Sequence, residues 1–196
     1  MNLHGKTVGM GMTAAYAALP AALDAMDALC AAGADVVPVF SYHLNEIPAP
    51  KSLGCNVNAC VRRLCGKSPV VRSEEAQRAA ESFDLLFLCP ATLETMARLC
   101  LGSAASPPLA AARVALSREH PVLIAPFVQN DVPGALCHIG RLLLRKHVFF
   151  VPFCQDGSGP NFAHLFARTD LVSESVAAAL VQKQLQPVLR QRREPF

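Results

Sequence analysis

Charge is scarce in this sequence: Asp, Glu, Lys and Arg make up only 17% of its 196 residues, against 52% hydrophobic ones. A surface so thinly charged is expected to be covered in part by further copies, so a homo-oligomer is expected. The formal charge is only +3, and the basic residues Arg190, Arg192 and Arg193 gather in a tail beyond the last apolar segment, a solvated end rather than a nucleic-acid surface. No apolar run reaches the ~20 residues that cross a membrane. Lys6, the run Val8–Leu23 and Ala15-Tyr16-Ala17 imitate a secretory signal, but Gly9 and Gly11 interrupt the run and Asp24 and Asp27 follow it in an amphipathic helix. A cytoplasmic protein is therefore expected. Cysteine is plentiful, at eight residues, yet no Cys-x-x-Cys pair exists. Cys55, Cys60 and Cys65 are five apart, which on one helix steps each sulfur about 140° around the axis and scatters them. Reduced, buried thiols and no metal site are expected. No Ser/His/Asp spacing can be defended either, and His120, His138, His147 and His164 fall at or near helix ends, where they read as surface or capping residues.

What is present is an alternation of strand and helix patterns. Lys6–Met12, Ala34–Phe40, Asp84–Leu88, Val122–Phe127 and Val148–Val151 read as buried strands. Between and after them come helices at Pro20–Ala32, Asn56–Cys65, Glu74–Ser82, Leu93–Leu101, Ser106–Glu119, Pro133–Lys146 and Leu171–Gln184, with Ser41–Gly54 as a Pro-rich loop. Right-handed βαβ crossovers then imply an α/β fold, a three-layer αβα sandwich on a parallel Rossmann-like or flavodoxin-like sheet of five or six strands. One domain is expected over 1–189, with a basic tail at 190–196. In such a sheet ligands sit beyond the carboxyl ends of the strands. The loops Met12–Tyr16, Ser41–His43, Pro90–Thr95, Val128–Asp131 and Phe153–Asn161 are therefore the candidate site.

The first loop carries Gly9-x-Gly11-x-x-Ala14, a dinucleotide fingerprint with alanine at its third position. An ordinary NAD site also needs an acid at the end of the second strand, to accept from a ribose hydroxyl. Here that strand ends Val39-Phe40-Ser41, so an NAD site is not expected. The hydroxyls of Thr13 and Ser41 suit a monophosphate such as that of FMN, and equally suit the capping of turns.

A resemblance to a known family rests on longer stretches. They are Val39-Phe40-Ser41-Tyr42, Cys89-Pro90-Ala91-Thr92-Leu93-Glu94-Thr95-Met96-Ala97-Arg98-Leu99, Asn130-Asp131, Val151-Pro152-Phe153-x-Gln155-Asp156, Pro160-Asn161, Ala167-Arg168-x-Asp170-Leu171 and Gln184-Leu185-Gln186-Pro187. In these, from about Leu3 to Leu189, the chain resembles the B subunits of dipicolinate synthase, which endospore-forming bacteria use to make dipicolinic acid. The resemblance implies a Rossmann-like flavoprotein fold of the homo-oligomeric flavin-containing cysteine decarboxylase type. It also implies a partner, the dipicolinate synthase A subunit, that carries the NAD(P). Together the two proteins are credited with oxidising a dihydrodipicolinate-type intermediate to the aromatic dicarboxylate.

The implied cofactor residues are Gly9, Gly11, Thr13, Ala14, Ser41, Pro90, Thr92 and Thr95, holding FMN. The implied substrate residues are Asn130, Asp131, Gln155, Asp156, Asn161 and Arg168, with Arg98 and Arg113 as further cations for a dicarboxylate. No catalytic residue is assigned, and Cys89 reads as a small buried hydrophobe rather than a nucleophile. Two departures bear on FMN: Thr13-Ala14-Ala15 stands where the family has Thr-Gly-Ser, and Thr92-Leu93-Glu94-Thr95 where it has Thr-Gly-Asn-Thr. A carboxylate ~5 Å from a phosphate costs about 3 kcal/mol per unit charge at an effective dielectric near 20, so Arg98, one turn on, is needed to offset Glu94. Two other readings stay open: a non-catalytic scaffolding subunit with an empty flavin pocket, and a flavin-dependent cysteine decarboxylase.

Overall fold

The computed structural model describes residues 2–46, 56–129, 131–156 and 164–190, with the backbone alone at 45, 46 and 156. Cys55, Asn130, Asn161, Arg192 and Arg193 lie outside the described residues, as does the side chain of Asp156.

The first βαβ unit is β1 (Thr7–Met12), α1 (Leu19–Ala31) and β2 (Asp35–Phe40), with Pro20 in the first turn of α1. Short helix α2 (Tyr42–Glu46) follows inside the stretch expected as a loop, then α3 (Val57–Cys65) and α4 (Ser73–Ala80). Next are β3 (Leu85–Ala91), α5 (Leu93–Cys100), α6 (Pro107–Ser117), β4 (Val122–Gln129), α7 (Val132–Leu143) and β5 (Val148–Phe150). Strands β2, β1, β3, β4 and β5 lie side by side in that order, all parallel. The α/β sandwich with a mostly parallel sheet is thus as the pattern requires.

Alternation along β1 sets the two faces. Val8, Met10 and Met12 enter a core shared with α1, α3 and Phe87 of β3. Gly9 and Gly11 turn the other way, toward a second core built from α4, α5, α6 and α7. Each face of the sheet is therefore covered, which makes the third layer.

The stretch after Val151, expected as a loop, instead holds β6 (Phe153–Asp156) and β7 (His164–Ala167), antiparallel to each other. The cause lies in β4, whose eight residues outrun the three of β5. Its first half pairs β5 over Val122–Ile124, and its second half takes β7 antiparallel over Phe127–Gln129. The last helix is also shorter than its apolar pattern. A 3-10 turn at Thr169–Leu171 leads into α8 (Val172–Leu180), and β8 (Leu189–Arg190) adds beside β6. The expectation of reduced, buried thiols fails at Cys60, which is disulfide-bonded, and at Cys137, a free but exposed thiol, while Cys30, Cys65 and Cys100 are only half-buried. Cys60 and Cys65 lie on α3, which starts at Val57. No helix among the described residues is long and apolar enough to cross a membrane.

Candidate functional site

Strand order reverses around β1, which lies between β2 and β3, and the loops leaving these three strands meet there. Thr13 after β1, Ser41 after β2 and Thr92 after β3 line one cavity of about 340 Å³, with Ala14, Tyr42, His43, Glu94, Thr95, Arg98 and Ser106 around it. Of the expected cofactor set it gathers Thr13, Ala14, Ser41, Thr92 and Thr95. The sequence singles out none of Tyr42, His43 and Ser106 as contacts, although Tyr42 and His43 directly follow Ser41.

The hydroxyls are already organised. Thr13 Oγ1 donates to the carbonyl of Pro90 at 2.6 Å, tying the end of β1 to the end of β3. Ser41 Oγ accepts from the Leu44 N–H at 3.4 Å, which leaves its own proton to donate. Thr92 caps α5 by accepting from the Thr95 N–H at 3.3 Å, and its hydroxyl meets that of Thr95 at 3.0 Å, so one proton of this pair remains to point outward. Glu94 is held by Arg98 at 2.7 Å, one helical turn on. The carboxylate in this cavity is therefore offset by a cation. Hydroxyl donors, an arginine and the N-terminal turn of α5 together suit the oxygens of a phosphate monoester.

A second cavity, of about 540 Å³, shares Ala14, Thr92 and Glu94 with the first and runs over Ala15, Tyr16, Leu93, Phe127 and Val128. A third, of about 390 Å³, shares Ala17 and Phe127 with the second and reaches Ala21, Cys89, Pro90, Phe166 and Arg168. The three form an arc along the carboxyl edge, hydroxyl-lined at one end and largely apolar along the rest, with Arg168, Thr169 and Asp170 at the far end. The residues present fit a phosphate-bearing planar aromatic ring system such as FMN.

Several expected residues take other places. Gly9 and Gly11 lie inside β1, and their missing side chains make room for packing. A Cβ at Gly9 would stand 2.1 Å from Phe83 Cε2, and one at Gly11 would stand 2.6 Å from Leu88 Cδ2 and 3.0 Å from Pro108 Cβ. Pro90 lines the third cavity and not the hydroxyl-lined one. Asp131 caps α7, accepting from the Gly134 N–H at 3.0 Å. Gln155 and Asp156 sit in β6, in register with Leu165 and His164 of β7, so a strand ladder and not a loop fixes them. Among the described residues of the substrate set, Arg168 is the one that lines the arc. Its guanidinium grips Asp170 twice, at 2.8 and 2.6 Å, and that carboxylate holds the arginine above its ordinary pKa. Cys89 beside it is buried, and burial pushes its thiol up to about 12. It is therefore a neutral packing group at ordinary pH and not a nucleophile.

No family model matches the chain. The B subunit of dipicolinate synthase from Bacillus subtilis (strain 168) is 27% identical over 191 residues, covering 96% of this chain and 95% of that protein. The crystal structure of the dipicolinate synthase B subunit from Bacillus halodurans C superposes with a TM-score of 0.88 at 25% identity, covering 98% of this chain and 100% of that one. The FMN-dependent cysteine decarboxylase SpaF shares the fold at a TM-score of 0.64 and 17% identity, over 92% of this chain and 98% of its own. By sequence and fold together, the chain is a homologue of the dipicolinate synthase B subunit, built on the α/β fold of the FMN-dependent decarboxylases.

Proposed function

We propose that this chain serves as the B subunit of a dipicolinate synthase, working beside a nicotinamide-bearing A subunit in the cytoplasm of a spore-forming bacterium. The observation that carries the reading is the arc of cavities on the carboxyl edge of a chain that matches the Bacillus B subunit over nearly its full length. The reaction removes a hydride and a proton from a dihydrodipicolinate-type ring. The nicotinamide of the partner takes the hydride, and aromaticity of the product makes the step favourable. Arg168 of this chain holds a substrate carboxylate at the apolar end of the arc, exchanging Asp170 for it.

The hydroxyl-lined end takes FMN by its phosphate. Ser41 and the one outward proton of the Thr92–Thr95 pair donate to it and Arg98 supplies positive charge, while Thr13 fixes the loop through Pro90. Bound flavin would supply a second hydride acceptor. A hydrogen bond to a charged group is worth ~1.5–3 kcal/mol, so Arg98→Ala, which also frees the Glu94 carboxylate, is expected to weaken FMN binding at least about tenfold. Fluorescence titration of the purified chain checks this; equal affinities in wild type and variant would contradict it.

A second reading, a scaffolding protein with no flavin, draws on two observations: the Thr13 proton is already given to Pro90, and Glu94 faces the cavity. It predicts a colourless chain that takes up no FMN yet still raises the activity of its partner. The decarboxylase reading has only the fold in its favour.

A further inference from the structure

Glycine suits the left-handed backbone that closes a helix, because it has no Cβ to crowd the chain there. This chain uses it so after α1 and α5. The N–H groups of Gly33 (φ 88°) and Gly102 (φ 68°) donate to the carbonyls of Cys30 and Leu99, and the residues that follow them donate to Leu29 and Arg98. Helices α6 and α8 close with the same pair of bonds, yet the left-handed residues are Glu119 (φ 60°) and Gln182 (φ 57°). A further one, His147 (φ 64°), stands in the turn from α7 to β5.

One amide joins these three residues. Gln182 Nε2 donates to the Glu119 carbonyl at 3.3 Å, and its Oε1 meets His147 Nδ1 at 2.9 Å. With the amide so oriented, the imidazole carries a proton on Nδ1 and keeps Nε2 for another partner. Residues held outside the favoured backbone regions gather where their side chains serve a site.

The site is a cavity of about 550 Å³ beside β5, reached at the amino edge of the sheet and so opposite the arc. Two stretches of chain bound it. Residues 143–149 bring Arg145, Lys146, His147 and Phe149, and residues 182–188 bring Gln182, Gln186 and Val188. No acidic residue is among the described residues that line it. Arg145 gives one N–H to the Leu99 carbonyl at 3.0 Å and keeps the rest of its fork. Gln186 Oε1 accepts from the Val188 N–H at 3.2 Å, so its amide donors remain. Three basic side chains and an amide donor with no counter-charge suit an anion, and the arginine fork suits a carboxylate. Leu143, Val148, Phe149 and Val188 give the same cavity apolar walls, which suit a flat organic body rather than a bare inorganic ion.

We propose that this cavity binds an aromatic carboxylate. Arg145, Lys146 and His147 hold the carboxylate, and the ring lies against Phe149 and Val188. The site is separate from the arc and independent of the function proposed above.

The test uses the full chain carrying Arg168→Ala, so that the arc offers no carboxylate clamp. Isothermal titration with benzoate, picolinate and naphthoate is expected to show binding of at least one, with a dissociation constant of about a millimolar or less. Inorganic phosphate is expected to bind at least about tenfold more weakly. His147→Gly removes the imidazole and gives the turn the residue that its backbone favours. It is expected to weaken carboxylate binding at least about tenfold without lowering the melting temperature, and Lys146→Glu at least as much. Failure of all three carboxylates to bind, binding unchanged in both variants, or phosphate bound as tightly as the carboxylates overturns the proposal.

Discussion

Phe83 is 1% exposed and packs where a side chain on Gly9 would have to go. Gly9→Ala therefore forces a buried ring to move, and overpacking of this kind costs ~1–3 kcal/mol. Urea denaturation of the variant is expected to show that loss; a variant as stable as wild type would mean that Gly9 serves something other than packing. Cys89 bears on pH. Burial raises its thiol from the ordinary 9.0 to about 12, so the folded chain keeps a proton that the unfolded chain gives up above pH 9. Stability is thus retained below that pH and falls as pH rises toward 12. Cys89→Ala is expected to lose this part of the alkaline slope in denaturation midpoints measured across that range, and an unchanged slope would contradict the assignment. Thr13, Ser41 and Thr92 were legible in the sequence because a residue just past a buried strand has few places to go. Gly9 and Gly11 read as cofactor contacts and are packing residues, because a small residue can serve a ligand or a neighbouring ring and only the neighbour decides.

Elements set by local chemistry follow their sequence closely: Pro20 opens α1, Asn56 and Thr92 cap α3 and α5, and Gly66 closes α3 in the left-handed region. Elements set by distant chain do not. Nothing local to Phe153–Asp156 announces a strand; it becomes one because β4 extends past β5 and leaves its second half to be paired. Gln184 is a similar case. Its side-chain amide donates to the Phe150 carbonyl at 2.7 Å and accepts from the Phe150 N–H at 2.8 Å, standing in for a neighbouring strand on the edge of β5. Edge strands left bare are a liability. Gln184→Leu leaves a buried backbone donor and acceptor without partners, a loss of ~1–3 kcal/mol. Chemical denaturation checks it, and a loss below about 0.5 kcal/mol would show that water replaces the amide.

At the scale of the whole molecule, the three-layer sandwich and its match to the dipicolinate synthase B subunit were readable from alternating strands and helices and from long motifs. The convergence of the substrate residues was not. The Asp131 side chain caps a helix, because polar groups at strand ends satisfy backbone first, and Gln155 takes its place in a strand ladder through its backbone. Arg168 remains, paired with an Asp170 that is half exposed, so removing it is expected to cost the fold under about 1 kcal/mol. The most direct measurement is formation of dipicolinate by the chain mixed with its nicotinamide-bearing partner, each protein omitted in turn, with Arg168→Ala alongside. The account predicts that product forms only when both proteins are present, and that Arg168→Ala slows it roughly tenfold to a hundredfold with an unchanged melting temperature. Full activity from the partner alone would contradict it.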